Sequence, residues 1–144
     1  METSLLEIGR KAASAIIAYA LVVSVVKAGL IAAGLPSTAA EFPGGAPLDK
    51  LFELTLSAMR ALGAISGTTV SPEGVQAAGI LIAAAFNIAL YVAFMALFGY
   101  IEIAIWLMSH VPPQYAYYAA MLNVGLAILQ LAVIRWIINV ITGR

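Results

Sequence analysis

The sequence predicts an all-α protein, a four-helix arrangement of three long apolar helices and one shorter amphipathic helix. Three observations point there. Of 144 residues, 63% are hydrophobic and 10% are charged, against about 45–50% and about 25% in an average soluble domain. Proline and glycine gather at a few places and divide the chain into four stretches. None of the stretches alternates polar and apolar residues as a strand would. A soluble chain this small has no means of hiding so much apolar surface. Its surroundings must be a bilayer or the surfaces of further copies.

The first helix is predicted over residues 4–34. Ser4-Leu5-Leu6-Glu7 has the capping-box pattern, in which the two polar side chains satisfy each other's free amides. The run "AASAIIAYALVVSVVKAGLIAAG" continues it. Gly34-Leu35-Pro36 is a stop, since glycine takes a left-handed cap and proline cannot continue the helix. Arg10 and Lys11 ahead of an apolar run, with small residues at Ala32 to Gly34, imitate a signal peptide. The run nevertheless reads as a structural helix of the mature chain.

Residues 36–46 are a loop, with Pro43-Gly44-Gly45 in a row. The second helix is predicted over 47–65. Pro47 suits a first turn, and Asp49 favours the positive end of the helix dipole. Leu48, Leu51, Phe52, Leu56, Met59 and Leu62 share one face; Asp49, Lys50, Glu53, Ser57 and Arg60 take much of the other. Such a helix belongs at a boundary between an apolar layer and water.

Ser71-Pro72-Glu73 reads as N-cap, first helical residue and acidic first turn of a third helix over 72–109. Pro112-Pro113 ends it and opens a fourth helix over 113–142, which Gly143 can cap. The short link makes the last two helices antiparallel neighbours. Residues 1–144 therefore form a single hydrophobic helical domain with no soluble domain on either side.

Composition also excludes function classes. Seven Lys and Arg balance seven Asp and Glu, so no overall basic field attracts nucleic acid. The absence of cysteine rules out disulfides, thiolate metal sites and a cysteine nucleophile. Together with few Asn and Gln, it fits a thermophilic source. His110, the single histidine, cannot build a multi-histidine metal site and reads as a loop or cap residue. No phosphate-binding glycine loop, nucleophile motif or pair of carboxylates on one helix face is present. The expectation is a non-enzyme with no catalytic, cofactor or metal residues and no small-molecule substrate.

A few polar residues interrupt the apolar stretches. Glu102 reads as a packing residue at a helix–helix contact, with a proton path as the alternative. Lys27 can bury its stem and carry its amine to water or a head group; a pair with Glu102 is one option. Asn87, Asn123 and Gln130 suit interhelical hydrogen bonds. Arg135 and Trp136 read as an interfacial anchor, with a phosphate contact as the alternative for Arg135, and Tyr115, Tyr117 and Tyr118 as an interface belt. Small residues recur at Ala12-Ala13, Ala28-Gly29, Ala77-Ala78-Gly79 and Ala83-Ala84-Ala85, which favours close helix packing.

The segment Ala78 to Met108 carries one charged residue, Glu102. As a helix it is roughly 46 Å long, against about 30 Å for a bilayer core. Tilt absorbs part of this, and neighbouring protein helices would absorb all of it. The Lys and Arg on the two sides of three spanning helices come out nearly balanced, without the usual inside bias. Both points favour assembly into a polymer.

In length, scarcity of charge, the four helices and the lack of a soluble domain, the chain resembles the major capsid proteins of large tailed spindle-shaped archaeal viruses. The resemblance is one of type, across the whole chain. It implies a helical-bundle coat subunit, inserted in the host cell membrane before assembly and then localised to the virion. It implies many copies of itself and membrane lipid as partners, and packaged double-stranded DNA bound without sequence preference. Affinity for DNA comes from Lys and Arg, and Arg10, Lys11 and Arg60 are the expected phosphate contacts. Three other readings stand beside it: a small accessory subunit of a respiratory or transport complex in the membrane, a conjugative-type pilin, and a channel or proton-coupled transporter working through Glu102.

Overall fold

A computed structural model of the chain describes residues 2–35, 38–54, 57 and 72–143, with backbone alone at 2, 3, 31, 32, 72–81 and 83. Its regular structure is all helical, with no strand among the described residues. Helix α1 is Glu2–Ala32; α2 covers 46–54, with 57 also helical; α3 is Pro72–His110; α4 is Ala116–Thr142. Single 3-10 turns lie at Ala39–Glu41 and Pro113–Tyr115.

Most boundaries fall where the punctuation puts them. Gly34 has φ +69°, and the amides of Ala33 and Leu35 donate to Gly29 and Leu30, each at 3.0 Å. That closes α1 with the left-handed cap its glycine allows. At the other end α1 is already helical at Glu2, so Ser4 lies inside the first turn and the capping box does not open the helix. Glu7 instead pairs with Lys11, one turn on, at 3.0 Å. Within α2, Leu48 and Phe52 are buried while Lys50, Glu53 and Ser57 are exposed, as an amphipathic helix requires. Residues 58–65 of the predicted second helix, with Met59, Arg60 and Leu62, lie outside the described residues, as does Leu56. The fourth helix begins with the Pro113–Tyr115 turn, and regular α-helix follows from Ala116.

Helices α3 and α4 form an antiparallel hairpin. Gln130 lies against Leu97 and Tyr100, and Asn123 lies beside Ala104, Ile105 and Met108. Gly9 of α1 sits against Ala132 and Trp136. Lys27, near the other end of α1, is linked through Asp49 and Ala40 to Trp106 of α3. Helix α1 therefore runs parallel to α3 and antiparallel to α4.

The common core is narrow. It holds Ala12, Ala13, Ile16, Ala20 and Val23 of α1, Tyr91, Met95 and Tyr100 of α3, Val133 of α4, and Leu48 and Phe52 of α2. Small residues make the crossings. A Cβ on Gly9 would collide with the Ala132 carbonyl and lie 2.9 Å from Trp136 Cβ. One on Gly99 would lie 2.9 Å from Ile16 Cδ1. Tyr100 fixes the same crossing by donating its hydroxyl to the Ala12 carbonyl at 2.7 Å.

Much of the remaining apolar surface points outward. Val22 and Val25 on α1, Ile82 and Phe86 on α3, and Leu131 and Ile141 on α4 are all at least 60% exposed. Three segments, Ser4–Leu30, Ala84–His110 and Pro113–Thr142, are long and apolar enough to cross a membrane.

The crossing at Gly9 yields a paired prediction. Gly9→Leu should lower stability in detergent by about 1–3 kcal/mol, because the added side chain meets backbone. Gly125→Ala, in open space, should raise it by up to about 1 kcal/mol through helix propensity. Chemical unfolding followed by tryptophan fluorescence checks both; equal effects at the two glycines would reject the crossing.

Candidate functional site

Polar chemistry in this chain concentrates where the link between α1 and α2 folds back into the bundle. Ala39, Gly44 and Gly45 of that link are buried. Non-helical backbone in apolar surroundings must find partners for its amides and carbonyls. Here the helices supply them. Tyr19 of α1 donates its hydroxyl to the Pro43 carbonyl at 2.6 Å. Tyr91 of α3 donates to the Gly44 carbonyl at 2.9 Å. The Trp106 indole N–H donates to the Ala40 carbonyl at 3.1 Å. Within the link, Phe42 donates to Ala39, Gly45 to Phe42 and Leu48 to Gly45, at 3.0–3.1 Å.

The loop amides are met by Asp49. Its Oδ1 accepts the Ala39 N–H and its Oδ2 the Ala40 N–H, both at 2.9 Å. Oδ1 also accepts from the Lys27 ammonium, forming a mostly buried ion pair. The same ammonium lies 5.2 Å from the centre of the Phe52 ring, close enough for a cation–π attraction. Gly44 makes the inward turn with φ +71°, and a Cβ there would lie 2.9 Å from Met95 Cε. Only glycine meets both demands.

Lys27 is thus buried but paired with Asp49, not with Glu102. The reason is tertiary: the folded-back link carries α2 against the face of α1 that bears Lys27. Asp49, expected on the solvent face of its helix, is drawn inward by the two loop amides and the ammonium. Glu102 is half-buried. It lines a groove of about 520 Å³ between α2 and α3 with Pro47, Lys50, Leu51, Leu54 and Phe94.

The three amides differ. Gln130 is buried on α4 and its side chain reads the backbone of α3. Its Oε1 accepts the Tyr100 N–H at 3.0 Å, and its Nε2 donates to the Leu97 carbonyl at 2.6 Å. Asn87 is fully buried on α3. Asn123 is half-buried, and its Oδ1 has no hydrogen-bond partner.

Of the expected phosphate contacts, Arg10 and Lys11 are exposed on adjacent positions of α1, and Lys11 is paired with Glu7. Arg60 lies outside the described residues. Contact of Gly9 with Ala132 and Trp136 places Arg10, Lys11 and Arg135 at a similar level of the bundle. Trp136 packs beside Gly9 and is half-buried, while Arg135 is exposed. Tyr115, Tyr117 and Tyr118 are exposed around the start of α4. His110 ends α3, where its ring stacks on Trp106 at 4.3 Å and its Nδ1 lies 2.9 Å from the Trp106 carbonyl.

Sequence reasoning missed Tyr19, Tyr91 and Trp106 as anchors of the loop. A signal was present: hydroxyl and indole groups inside apolar helices need partners, and the glycine-rich link has carbonyls to offer. Among the described residues no three of His, Cys, Asp and Glu gather to hold a metal ion. Both oxygens of the Asp49 carboxylate are engaged, so this centre ties the link and α2 to α1. No family model, curated protein or solved structure matches the chain.

Lys27→Met should destabilise the fold by about 3 kcal/mol, because it leaves the Asp49 charge in a mostly buried setting without its counter-ion. Adding Asp49→Asn, which removes that charge and keeps an acceptor for a loop amide, should recover part of the loss. Unfolding of the single and double variants in detergent measures the coupling; a double variant less stable than Lys27→Met would reject the pair as the source.

Proposed function

We propose that this chain is a membrane-inserted structural subunit that assembles with many copies of itself. In its most specific form, it is the coat subunit of a tailed or spindle-shaped archaeal virion that resides in the host membrane before assembly. The observation that carries the reading is the outward apolar surface. Large side chains such as Val25, Phe86 and Leu131 are exposed on all three long helices. No single partner of ordinary interface size covers faces that point in several directions. Lipid covers them in a membrane, and other copies cover them in a particle. Helix α3, with 39 residues, spans about 58 Å and so favours a protein environment over part of its length.

Binding of DNA in such a coat is electrostatic and independent of sequence. Arg10 and Lys11 are the exposed candidates, and their small number predicts weak contacts per subunit and a shallow salt dependence.

A second reading, an accessory subunit of a membrane complex, draws on the groove that Glu102 and Lys50 line. A carboxylate on a helix apolar enough to cross a membrane is a common mark of ion or proton handling.

Copy number and nuclease-protected nucleic acid, measured on purified native particles or membranes, separate the two. Hundreds of copies per particle with protected DNA are expected. A few copies in fixed ratio to other chains, with no protected DNA, would reject the coat and favour the accessory subunit.

A further inference from the structure

Folding gathers cations at one end of the bundle. Three consecutive crossings would put Arg10 and Arg135 on opposite sides of a membrane. Helices α1 and α3 instead run parallel, so α4 brings Arg135 back to the end where α1 starts. Contact of Gly9 with Ala132 and Trp136 fixes that level. Exposed Arg10, Lys11 and Arg135 stand there against the carboxylate of Glu7. Around the link and α2, by contrast, Lys27 is bonded to Asp49, and exposed Lys50 is outnumbered by exposed Glu41 and Glu53.

The depth of the two arginines suits a lipid surface. The spans Ser4–Leu30 and Pro113–Thr142 are about 40 and about 45 Å long as helices, against about 30 Å for the apolar core of a bilayer. Arg10 lies about 9 Å from the start of the first, and Arg135 about 10 Å from the end of the last. With both spans centred, each Cα lies within about 5 Å of the edge of the core, and an arginine side chain crosses that distance to reach the head groups. Trp136, half-buried beside Gly9, shares this boundary, where indole rings are favoured. A guanidinium recognises phosphate through charge and paired hydrogen bonds. We propose that this end of the bundle binds the anionic phospholipid head groups of one leaflet. Arg10 and Arg135 are the phosphate contacts, and Lys11 adds charge. The contact holds the start of α1 and the end of α4 on the side of the membrane richer in anionic lipid. The proposal rests on the membrane-inserted stage of the reading above and is independent of assembly.

The test uses the full chain in vesicles of phosphatidylcholine and phosphatidylglycerol. Spin-labelled lipids report which head group the protein's lipid shell prefers. Phosphatidylglycerol should be preferred about 3–5-fold, the effect of one basic residue near an anionic surface, and high salt should shrink the preference. Arg10→Gln with Arg135→Gln should remove most of it; both side chains are exposed, so the fold should hold. The two tryptophans locate the contact. Trp136 is at the basic end, and Trp106 is bonded to the Ala40 carbonyl of the link. In Trp106→Phe, phosphatidylglycerol brominated on its acyl chains should quench Trp136 beyond its share of the lipid. In Trp136→Phe it should quench Trp106 only in proportion to that share. A preference that survives the double arginine variant, or that Trp106 senses as strongly as Trp136, overturns the proposal and leaves the membrane reading standing. If brominated phosphatidylcholine quenches neither tryptophan, the chain is not in the bilayer and both fall. No preference in the wild type rejects the lipid surface; short duplex DNA retained by the chain in detergent, and lost in the double variant, would then assign the two arginines to a packaged genome.

Discussion

A carboxylate held inside an apolar bundle organises much of what surrounds it. Three donors occupy the oxygens of Asp49: the Lys27 ammonium and the amides of Ala39 and Ala40. Those bonds draw the α1–α2 link inward, join α2 to α1 and bring the loop carbonyls within reach of Tyr19, Tyr91 and Trp106. Removing the carboxylate would take from the two loop amides their acceptor. In a setting of low polarity each such loss is costly. The ion pair itself adds little net stability over a well-packed apolar pair. Its importance lies in specifying one position for the link among the many that an apolar chain allows.

The rest of the fold works with few directional bonds. Helices meet through Ala12, Ala13, Gly9 and Gly99, where small side chains let backbones approach. Dispersion between close surfaces then takes the place of a thick core. This economy leaves large apolar side chains pointing outward along all three long helices. The outward surface is therefore the counterpart of a narrow core whose helix crossings are made by alanine and glycine.

Polar residues inside the helices have separate tasks. Gln130 ties α4 to the backbone of α3 next to Gly99, at the tight crossing with α1. Lys27 ties α1 to α2. Glu102 lines the α2–α3 groove, and Asn123 faces the outer groove of the hairpin. The first two are satisfied within the chain. Asn123 keeps a buried oxygen without a hydrogen bond.

The long helices and most of their described ends were legible in the sequence because they depend on local rules; the start at Glu2 was not. Apolar runs too long for strands, Gly34 as a left-handed cap and Pro112-Pro113 as a break each act within a few residues. The membrane character was equally legible, since composition alone decides that so small a chain exposes apolar surface. Tertiary structure decided the partners. Nothing local distinguishes Asp49 from Glu102 as the counter-ion of Lys27, because the choice depends on the inward course of residues 38–45. Nor does spacing reveal that Tyr19, Tyr91 and Trp106 converge on one loop, or that Gln130 finds a backbone while Asn123 does not. Hydrogen bonds and ion pairs between distant residues are set by which helix faces meet. In helices that are apolar on nearly every side, the pattern of side chains leaves those faces open.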